Sequence, residues 1–317
     1  MRPTHARAHA RLLPLLLIAA LAGCDALPFT PSSLIDKPRI VAIAAEPPVI
    51  AFDGAATLTA LVLGPDGRDS SVAPGRALDL DVRWRVCNPW KPVLEPDRDC
   101  APDDALLLPA ADGDTWQGQA QVDMAEVLAA FPVPPDIIDQ IGDQPGGMPG
   151  AEPQDPDACP HSYDYAELPV VAEATVGQRR LVAIQRVRVT WQPSDRRTPA
   201  LIGLVLDDLV AGADEAVSFT PGAAHRLTAS MDRSSLDPVC LDRDPAQIAP
   251  EPVHVHAYVT AGELDEPDAD IEYAEDGTES ADTLTWTAPA SGDVTAWLVV
   301  KDSDGGTTWA RFALQPR

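Results

Sequence analysis

Alternation of apolar and polar residues predicts β-strands along most of the chain. The clearest case is the stretch 78–86, LDLDVRWRV, in which every second residue is apolar and the residues between are charged. A period of two over this length is typical of a half-buried strand. Four further segments carry strand signals, and with this one they predict a single antiparallel sandwich. They are Arg39–Ala45, Thr57–Leu63, and a hairpin of Pro169–Thr175 and Arg179–Trp191 around Gly177.

A second group of short strands is predicted after Pro199. Seven strands over about 115 residues have the size and rhythm of an immunoglobulin-like sandwich. The predicted strands are Ala200–Leu206, Ala216–Phe219, His225–Ser230, Val253–Thr260, Thr283–Thr287, Asp293–Lys301 and Thr307–Leu314.

A Pro-rich insertion, residues 88–168, interrupts the first group, and one helix is predicted inside it. Asp123 and Glu126 have the spacing of a capping box, and Pro132 ends the helix. Residues 144–159 are expected to be the mobile part of the insertion because they are rich in Pro and Gly. The apolar stripe of the helix consists of Met124, Val127, Leu128 and Phe131.

The N-terminus has the plan of a secretory signal. Three arginines within the first eleven residues precede the short apolar run 12–21, which is too short for a permanent membrane span. The tetrapeptide Leu21-Ala22-Gly23-Cys24 that follows resembles the bacterial lipobox. The resemblance implies that residues 1–23 are removed and that Cys24 carries the lipid (thioether and fatty acyl, such as palmitate). Residues 24–37, which are rich in Pro and Ser, are expected to form a tether.

Two longer segments resemble bacterial immunoglobulin-like domains and immunoglobulin-, cadherin- or PKD-like modules. The first is PRIVAIAAEPPVIAFDGAATLTALVLGPDG with LDVRWRVC, and the second is LTWTAPASGDVTAWLVVKDSDGGTTW. The expected fold class is all-β, with one sandwich over residues 38–195 and a second over 199–317. Such sandwiches host many unrelated roles, so the resemblance implies a fold and not an activity.

The charge of the chain excludes one class of partner. Lys and Arg number 23 and Asp and Glu number 49, a net charge of −26. Removal of the three signal-peptide arginines gives 20 minus 49, or −29, for the processed chain. Because such a surface repels phosphate backbones, we expect no nucleic-acid binding.

Four cysteines remain besides Cys24, an even number that suggests disulfides in an exported protein. Three connectivities are possible. Our first expectation is Cys87–Cys100, which closes a short loop, with Cys159–Cys240 as the second pair. A zinc site is disfavoured because no Cys-x-x-Cys pair occurs.

Two groups of residues are candidate metal ligands. His254 and His256 lie two apart on a predicted strand and therefore point the same way, although a solvent-facing position is the commoner explanation. The run Gly262–Asp282 holds ten acidic residues in 21 positions, which indicates either a solvated loop or a weak calcium site. The calcium hypothesis names Asp265, Asp268, Asp270, Asp302 and Asp304.

No catalytic motif is found: the sequence has no Gly-x-Ser-x-Gly elbow, His-Glu-x-x-His pair or phosphate-binding loop. We therefore expect a non-catalytic, lipid-anchored protein of the bacterial cell envelope, with no cofactor unless calcium binds. Its partners would be the membrane and either another envelope protein or a glycan. Which membrane carries it stays open. An exported glycan-acting hydrolase and a calcium-stabilised adhesion module are the alternatives.

Tryptophans give a further hint of glycan binding that has a plainer explanation. Rings on strands either stack on sugars or pack in a core, and alternation favours packing. The residues concerned are Trp116, Trp191, Trp286, Trp297 and Trp309.

Overall fold

The computed structural model describes residues 32–70, 80–91, 100–109, 119–135, 165–190, 194–213, 215–240, 247–274 and 278–317. The first group of strands comprises β1 (Arg39–Glu46), β2 (Val49–Ala51), β3 (Ala55–Leu63), β4 (Leu80–Cys87), β5 (Ala105–Leu107), β6 (Gln119–Asp123), β7 (Tyr165–Val176) and β8 (Arg179–Thr190). Helix α1 (Met124–Ala130) follows β6, and a 3₁₀ turn covers Pro102–Asp104.

The second group has thirteen strands among the described residues. They are β9 (Ala200–Leu206), β10 (Leu209–Gly212), β11 (Ala216–Phe219), β12 (Ala224–Asp232), β13 (Pro238–Cys240), β14 (Ile248–Pro250), β15 (Val253–Val259), β16 (Glu263–Leu264), β17 (Asp268–Tyr273), β18 (Glu279–Ala281), β19 (Leu284–Thr287), β20 (Val294–Asp302) and β21 (Thr307–Pro316). A 3₁₀ turn at Arg233–Ser235 follows β12. All seven strands predicted here are present, β9 and β11 with the predicted bounds.

The first sandwich consists of the sheets β1-β3-β6 and β2-β8-β7-β4-β5. Strand β1 pairs antiparallel with β3, and after Pro47 and Pro48 the chain crosses to the other sheet, where β2 runs parallel to β8. Two consecutive prolines lack the N–H groups that a continued ladder needs, so the strand is divided there.

The second sandwich repeats this plan. Its main sheets are β10-β9-β12-β19-β16 and β11-β21-β20-β15-β17-β18, and β11 runs parallel to β21 as β2 does to β8. In both sandwiches an early strand runs parallel to the last strand of the final hairpin while the other pairings are antiparallel, which is an immunoglobulin-like arrangement. The predicted all-β fold is confirmed.

Each sandwich has its own apolar core. Trp84 is buried in the first core, where it packs with Val86 and Leu168. In the second, Trp286 and Phe219 are fully buried, with their ring centroids 5.1 Å apart in an edge-to-face arrangement. The alternation along the strands therefore places the large apolar side chains between the sheets.

The predicted helix is present at α1. The side chain of Asp123 accepts a hydrogen bond from the backbone N–H of Ala125 at 2.8 Å, so it caps the helix. Met124, Val127 and Phe131 are buried, as the helical stripe predicts.

Part of the predicted insertion 88–168 belongs to the sandwich itself. Strand β6 pairs with β3, and its residues Ala120 and Val122 are fully buried, while β5 pairs with β4. Residues 144–159 lie outside the described residues.

A third apolar cluster joins the two sandwiches. The indole nitrogen Nε1 of Trp297 in β20 donates a hydrogen bond to Oδ2 of Asp69, 2.9 Å away, and both residues are fully buried. Residues 33–317 accordingly form one compact unit. The buried residues of the cluster are Ile35, Ala42, Leu61, Leu63, Trp297 and Val299.

The segment before β1 pairs with the second sandwich. The backbone N–H of Ile35 donates to the carbonyl of Val259 at 2.8 Å, and Val259 donates back to the carbonyl of Ser33 at 3.0 Å. Ser33 and Ile35 are both buried. The last residues of the predicted tether 24–37 are therefore fixed beside the end of β15.

Candidate functional site

Two histidines and two aspartates face one another on neighbouring strands of the second sandwich. Strands β15 and β17 are antiparallel, with His254 opposite Asp270 and His256 opposite Asp268. Because alternate residues of a strand share a face, all four polar side chains lie on one side of the sheet. Val253, Val255, Ala257 and Val259 point into the core, as predicted.

The ring nitrogens of the two histidines are in contact with the carboxylates. His254 Nδ1 lies 2.8 Å from Asp270 Oδ1, and His254 Nε2 lies 3.2 Å from Asp268 Oδ1. The same Asp268 Oδ1 contacts Nδ1 of His256. One possible ligand atom each from His254, His256 and Asp268 therefore falls within 4.8 Å of the other two.

The surroundings of this histidine–aspartate cluster differ from one side to the other. The side chains of His254 and Asp268 are each 49% exposed, whereas that of His256 is 22% exposed and rests on Tyr258, with ring centroids 4.4 Å apart. Burial lowers the pKa of His256 despite the opposing effect of Asp268. Burial likewise lowers the pKa of Lys301, which lies opposite His254 on β20. The more buried imidazole is therefore held in its neutral form, the form that binds metals.

The five carboxylates of the calcium hypothesis lie in separate places. Asp268 and Asp270 join the histidines, while Asp302 and Asp304 belong to the turn between β20 and β21. Asp265 is exposed before β17 and is not part of the histidine–aspartate cluster. The structure therefore does not assemble these carboxylates into one shell.

Asp302 shapes the turn between β20 and β21. Its Oδ1 accepts backbone hydrogen bonds from Asp304 at 2.8 Å and Gly306 at 2.7 Å. Burial raises the pKa of Asp302 to about 7, and the nearby carboxylate of Glu251 adds to the shift. Burial also raises the pKa of Glu251, whose Oε2 accepts a hydrogen bond from Ser303 Oγ at 3.0 Å.

Asp304 is held by two arginines that approach from the direction of the first sandwich. Arg188 of β8 contacts Oδ1 of Asp304, and Nη2 of Arg196 lies 2.6 Å from Oδ2. Nη1 of Arg196 lies 3.5 Å from Oδ2 of Asp237, and the side chain of Arg196 is only 5% exposed. Asp304 is thus an ion-pair partner at the junction of the sandwiches.

Two of the predicted disulfide cysteines are joined. Cys87 and Cys100 form a disulfide, so the first expected pairing is confirmed. Cys240 is also disulfide-bonded, but Cys159 lies outside the described residues and the Cys159–Cys240 pairing stays a prediction.

The tryptophans that the structure describes are mainly packing residues. Trp286 and Trp297 are fully buried, and Trp309 packs against the cluster that joins the sandwiches. Trp116 and Trp191 lie outside the described residues.

The predicted signal segment and Cys24 also lie outside the described residues. Among the residues that are described, no helix has the length and apolar character needed to cross a membrane.

Comparison with known proteins gives distant structural neighbours. No family model and no curated protein matches the sequence. A nucleoside hydrolase-related hypothetical protein from Saccharophagus degradans, associated with carbohydrate metabolism, aligns at 12% identity and a TM-score of 0.21, covering 37% of this chain and 26% of that one. The chain therefore spans about a quarter of that neighbour's length.

Two neighbours are tandem immunoglobulin-type modules. The two V-type regions of VCBP3, a v-region-containing chitin binding protein, align at 11% identity and a TM-score of 0.27, covering 87% of this chain and 99% of theirs. The N-terminal Ig1-2 module of the Drosophila receptor protein tyrosine phosphatase DLAR aligns at 10% identity and a TM-score of 0.23, covering 89% and 99%. Likeness at this level assigns the chain to none of these proteins.

Proposed function

We propose that this protein is a non-catalytic, lipid-anchored component of the bacterial cell envelope that presents a pair of immunoglobulin-like sandwiches as a binding or scaffolding surface. The observation that carries the proposal is the tetrapeptide Leu21-Ala22-Gly23-Cys24 directly after the apolar run 12–21. An acylated cysteine with two or more chains holds a protein on a membrane without a spanning helix.

The junction between the sandwiches supports a scaffolding role. Trp297 is hydrogen-bonded to Asp69, and Arg188 of the first sandwich is paired with Asp304 of the second. A buried apolar cluster surrounds the first of these contacts. Contacts of this kind hold the two modules in one relative orientation, so that a surface on either module is presented at a fixed position.

The anchor is tested with Cys24→Ala, and Asp25→Asn serves as the matched control. We expect the wild type and Asp25→Asn to be cleaved before Cys24, to gain the mass of a diacylglyceryl group and acyl chain, and to sediment with membranes. Cys24→Ala removes the sulfur that accepts the lipid, so the unlipidated chain is expected. Intact mass spectrometry and fractionation measure the difference.

Membrane fractionation of Cys24→Ala identical to the wild type, with no lipid mass on either protein, would contradict the proposed anchor. The Asp25→Asn control shows whether any change comes from the lipidated sulfur or from disturbance of the segment around it.

A further inference from the structure

We propose that His254, His256 and Asp268 form a binding site for a divalent transition-metal ion, for which Zn²⁺ is the first probe. The inference goes beyond the function proposed above and does not depend on the anchor. It uses side chains on the rigid pair β15 and β17, whose register fixes their relative positions.

The spacing of the possible ligand atoms fits one small ion. Zn²⁺ lies about 2.0–2.1 Å from nitrogen and oxygen ligands, so two ligands at a tetrahedral angle are about 3.3 Å apart. The 3.2 Å between His254 Nε2 and Asp268 Oδ1 has this value. A nitrogen of His256 completes a set in which all three atoms lie within 4.8 Å, and the direct contact between His256 Nδ1 and Asp268 Oδ1 would open to admit the ion.

Asp270 provides a second, independent indication. Its Oδ1 lies 2.8 Å from Nδ1 of His254, where the carboxylate accepts the ring N–H. When Nδ1 carries the ring proton and donates it to Asp270, Nε2 keeps its lone pair on the side of Asp268 and is free to bind the ion. A carboxylate behind a ligating histidine is the usual outer partner in metal sites, since it orients the ring and raises its basicity.

The donor set determines the class of ion. Two imidazole nitrogens and one carboxylate oxygen suit Zn²⁺ and neighbouring transition metals, whereas Ca²⁺ prefers shells of oxygen alone. Asp268 and Asp270 supply negative charge, and Lys301 opposes it in part from the neighbouring strand. Since His254 and Asp268 are each half exposed, a fourth coordination position faces solvent and accepts water or a donor atom from another molecule.

The test is isothermal titration of the metal-stripped, full-length protein in detergent with Zn²⁺, followed by thermal denaturation with and without the ion. We expect one equivalent bound in the micromolar range and a higher Tm with Zn²⁺. Asp270→Ala should weaken binding about 10–100-fold, the effect of losing an outer-shell partner, and His254→Ala and Asp268→Asn should weaken it more.

Glu272→Gln is the matched control, because Glu272 is an exposed acidic residue of the same strand outside the histidine–aspartate cluster. Its affinity should stay within about twofold of the wild type. Without metal, the three cluster variants should melt close to the wild type, because the replaced side chains are 49–60% exposed.

Failure of the wild type to bind Zn²⁺ would overturn the proposal. Equal binding by His254→Ala and the wild type would also overturn it, since the ion would then occupy another site. Neither result affects the Cys24 experiment, so the two proposals fail separately.

Discussion

The corresponding strands of the two sandwiches, β4 and β15, carry different polar clusters. Strand β4 of the first and β15 of the second each lie beside the first strand of the final hairpin. In the first sandwich, Arg85 Nη2 donates to Glu173 at 3.1 Å and Arg180 Nε donates to it at 2.8 Å. In the second, His254 and His256 of β15 face aspartates of β17, on the side away from the final hairpin.

The cluster around Glu173 stabilises the fold as an ion pair, whereas the histidine–aspartate cluster offers atoms that can bind a metal ion. Arginine stays protonated and has no lone pair to offer, so the Glu173 cluster is complete as an ion pair. The hydrogen bond from Arg180 holds the pKa of Glu173 below its usual value. Neutral histidine keeps one ring nitrogen with a free lone pair, so the histidines of β15 are able to bind a metal ion.

The largest effect is expected where charges of the two sandwiches meet in the interior. Arg196→Met removes the more buried of the two guanidinium groups that pair with Asp304, while Arg188 remains in place. Asp237 loses an ion pair and keeps uncharged partners such as the backbone N–H of Arg197, so we expect a loss of about 3 kcal/mol in the free energy of unfolding. Urea denaturation measures this loss of unfolding free energy.

Arg197→Met is the control, because Arg197 is exposed and its guanidinium donates to the Ser234 carbonyl. Equal losses in both variants would show that the ion pairs at the junction do not join the sandwiches.

An intermediate effect is expected at Asp302, where the pKa shift is opposite to that of Glu173. The folded protein holds the Asp302 proton to about pH 7, while the unfolded chain releases it near 3.8, so stability falls as pH rises through this window. Asp302→Asn keeps the oxygen that accepts both backbone hydrogen bonds and removes the charge.

Near pH 8 we therefore expect Asp302→Asn to be about 1–3 kcal/mol more stable than the wild type. The advantage should shrink toward pH 5. Burial also raises the pKa of Glu251, and this residue is unchanged in the variant. Unfolding free energies measured across this range test the assignment, and an advantage that did not depend on pH would contradict it.

The smallest effect is expected at Glu173 itself. Glu173→Gln removes the charge paired with Arg85 and Arg180, and we expect a loss of about 0.5–1 kcal/mol at pH 7. Because the folded pKa is lowered, this contribution is present above the unfolded pKa and is lost as pH falls through the folded value. Glu167→Gln is the control, since its pair with Arg186 is more exposed. Equal losses of unfolding free energy in the two variants would mean that the lower exposure of the Glu173 ion pair does not increase its contribution to stability.

The alternation of apolar and polar residues was sufficient to predict most of the strands. Strands such as β11 and β15 have clear apolar periods, and α1 is marked by Asp123 and Pro132. The three-residue strands β2 and β5 are too short to carry a period, and they form because a neighbouring strand offers unpaired backbone groups. Tertiary pairing of this kind has no local signature.

The sequence indicated the two histidines of the candidate site but not the aspartates that face them. His254 and His256 stand out on an apolar strand, but their partners lie in a run so acidic that a solvated loop was the simpler interpretation. The signal was nevertheless present: DADIEY alternates, and Ala269, Ile271 and Tyr273 are buried while the acids between them are exposed. The pairing of Asp268 with His256 depends on the register of β15 and β17, which the sequence does not specify.

The contact of Ser33 and Ile35 with Val259 fixes the end of the predicted tether on the second sandwich. Although Arg39 of β1 in the first sandwich is only four residues further along the chain than Ile35, the segment Ser33–Ile35 pairs with the second sandwich. Nine peptide steps separate Cys24 from Ser33, and at 3.3–3.6 Å each they reach about 30 Å when fully extended. Were Cys24 lipidated as proposed, the end of β15 beside Ser33 would lie within about this distance of the bilayer.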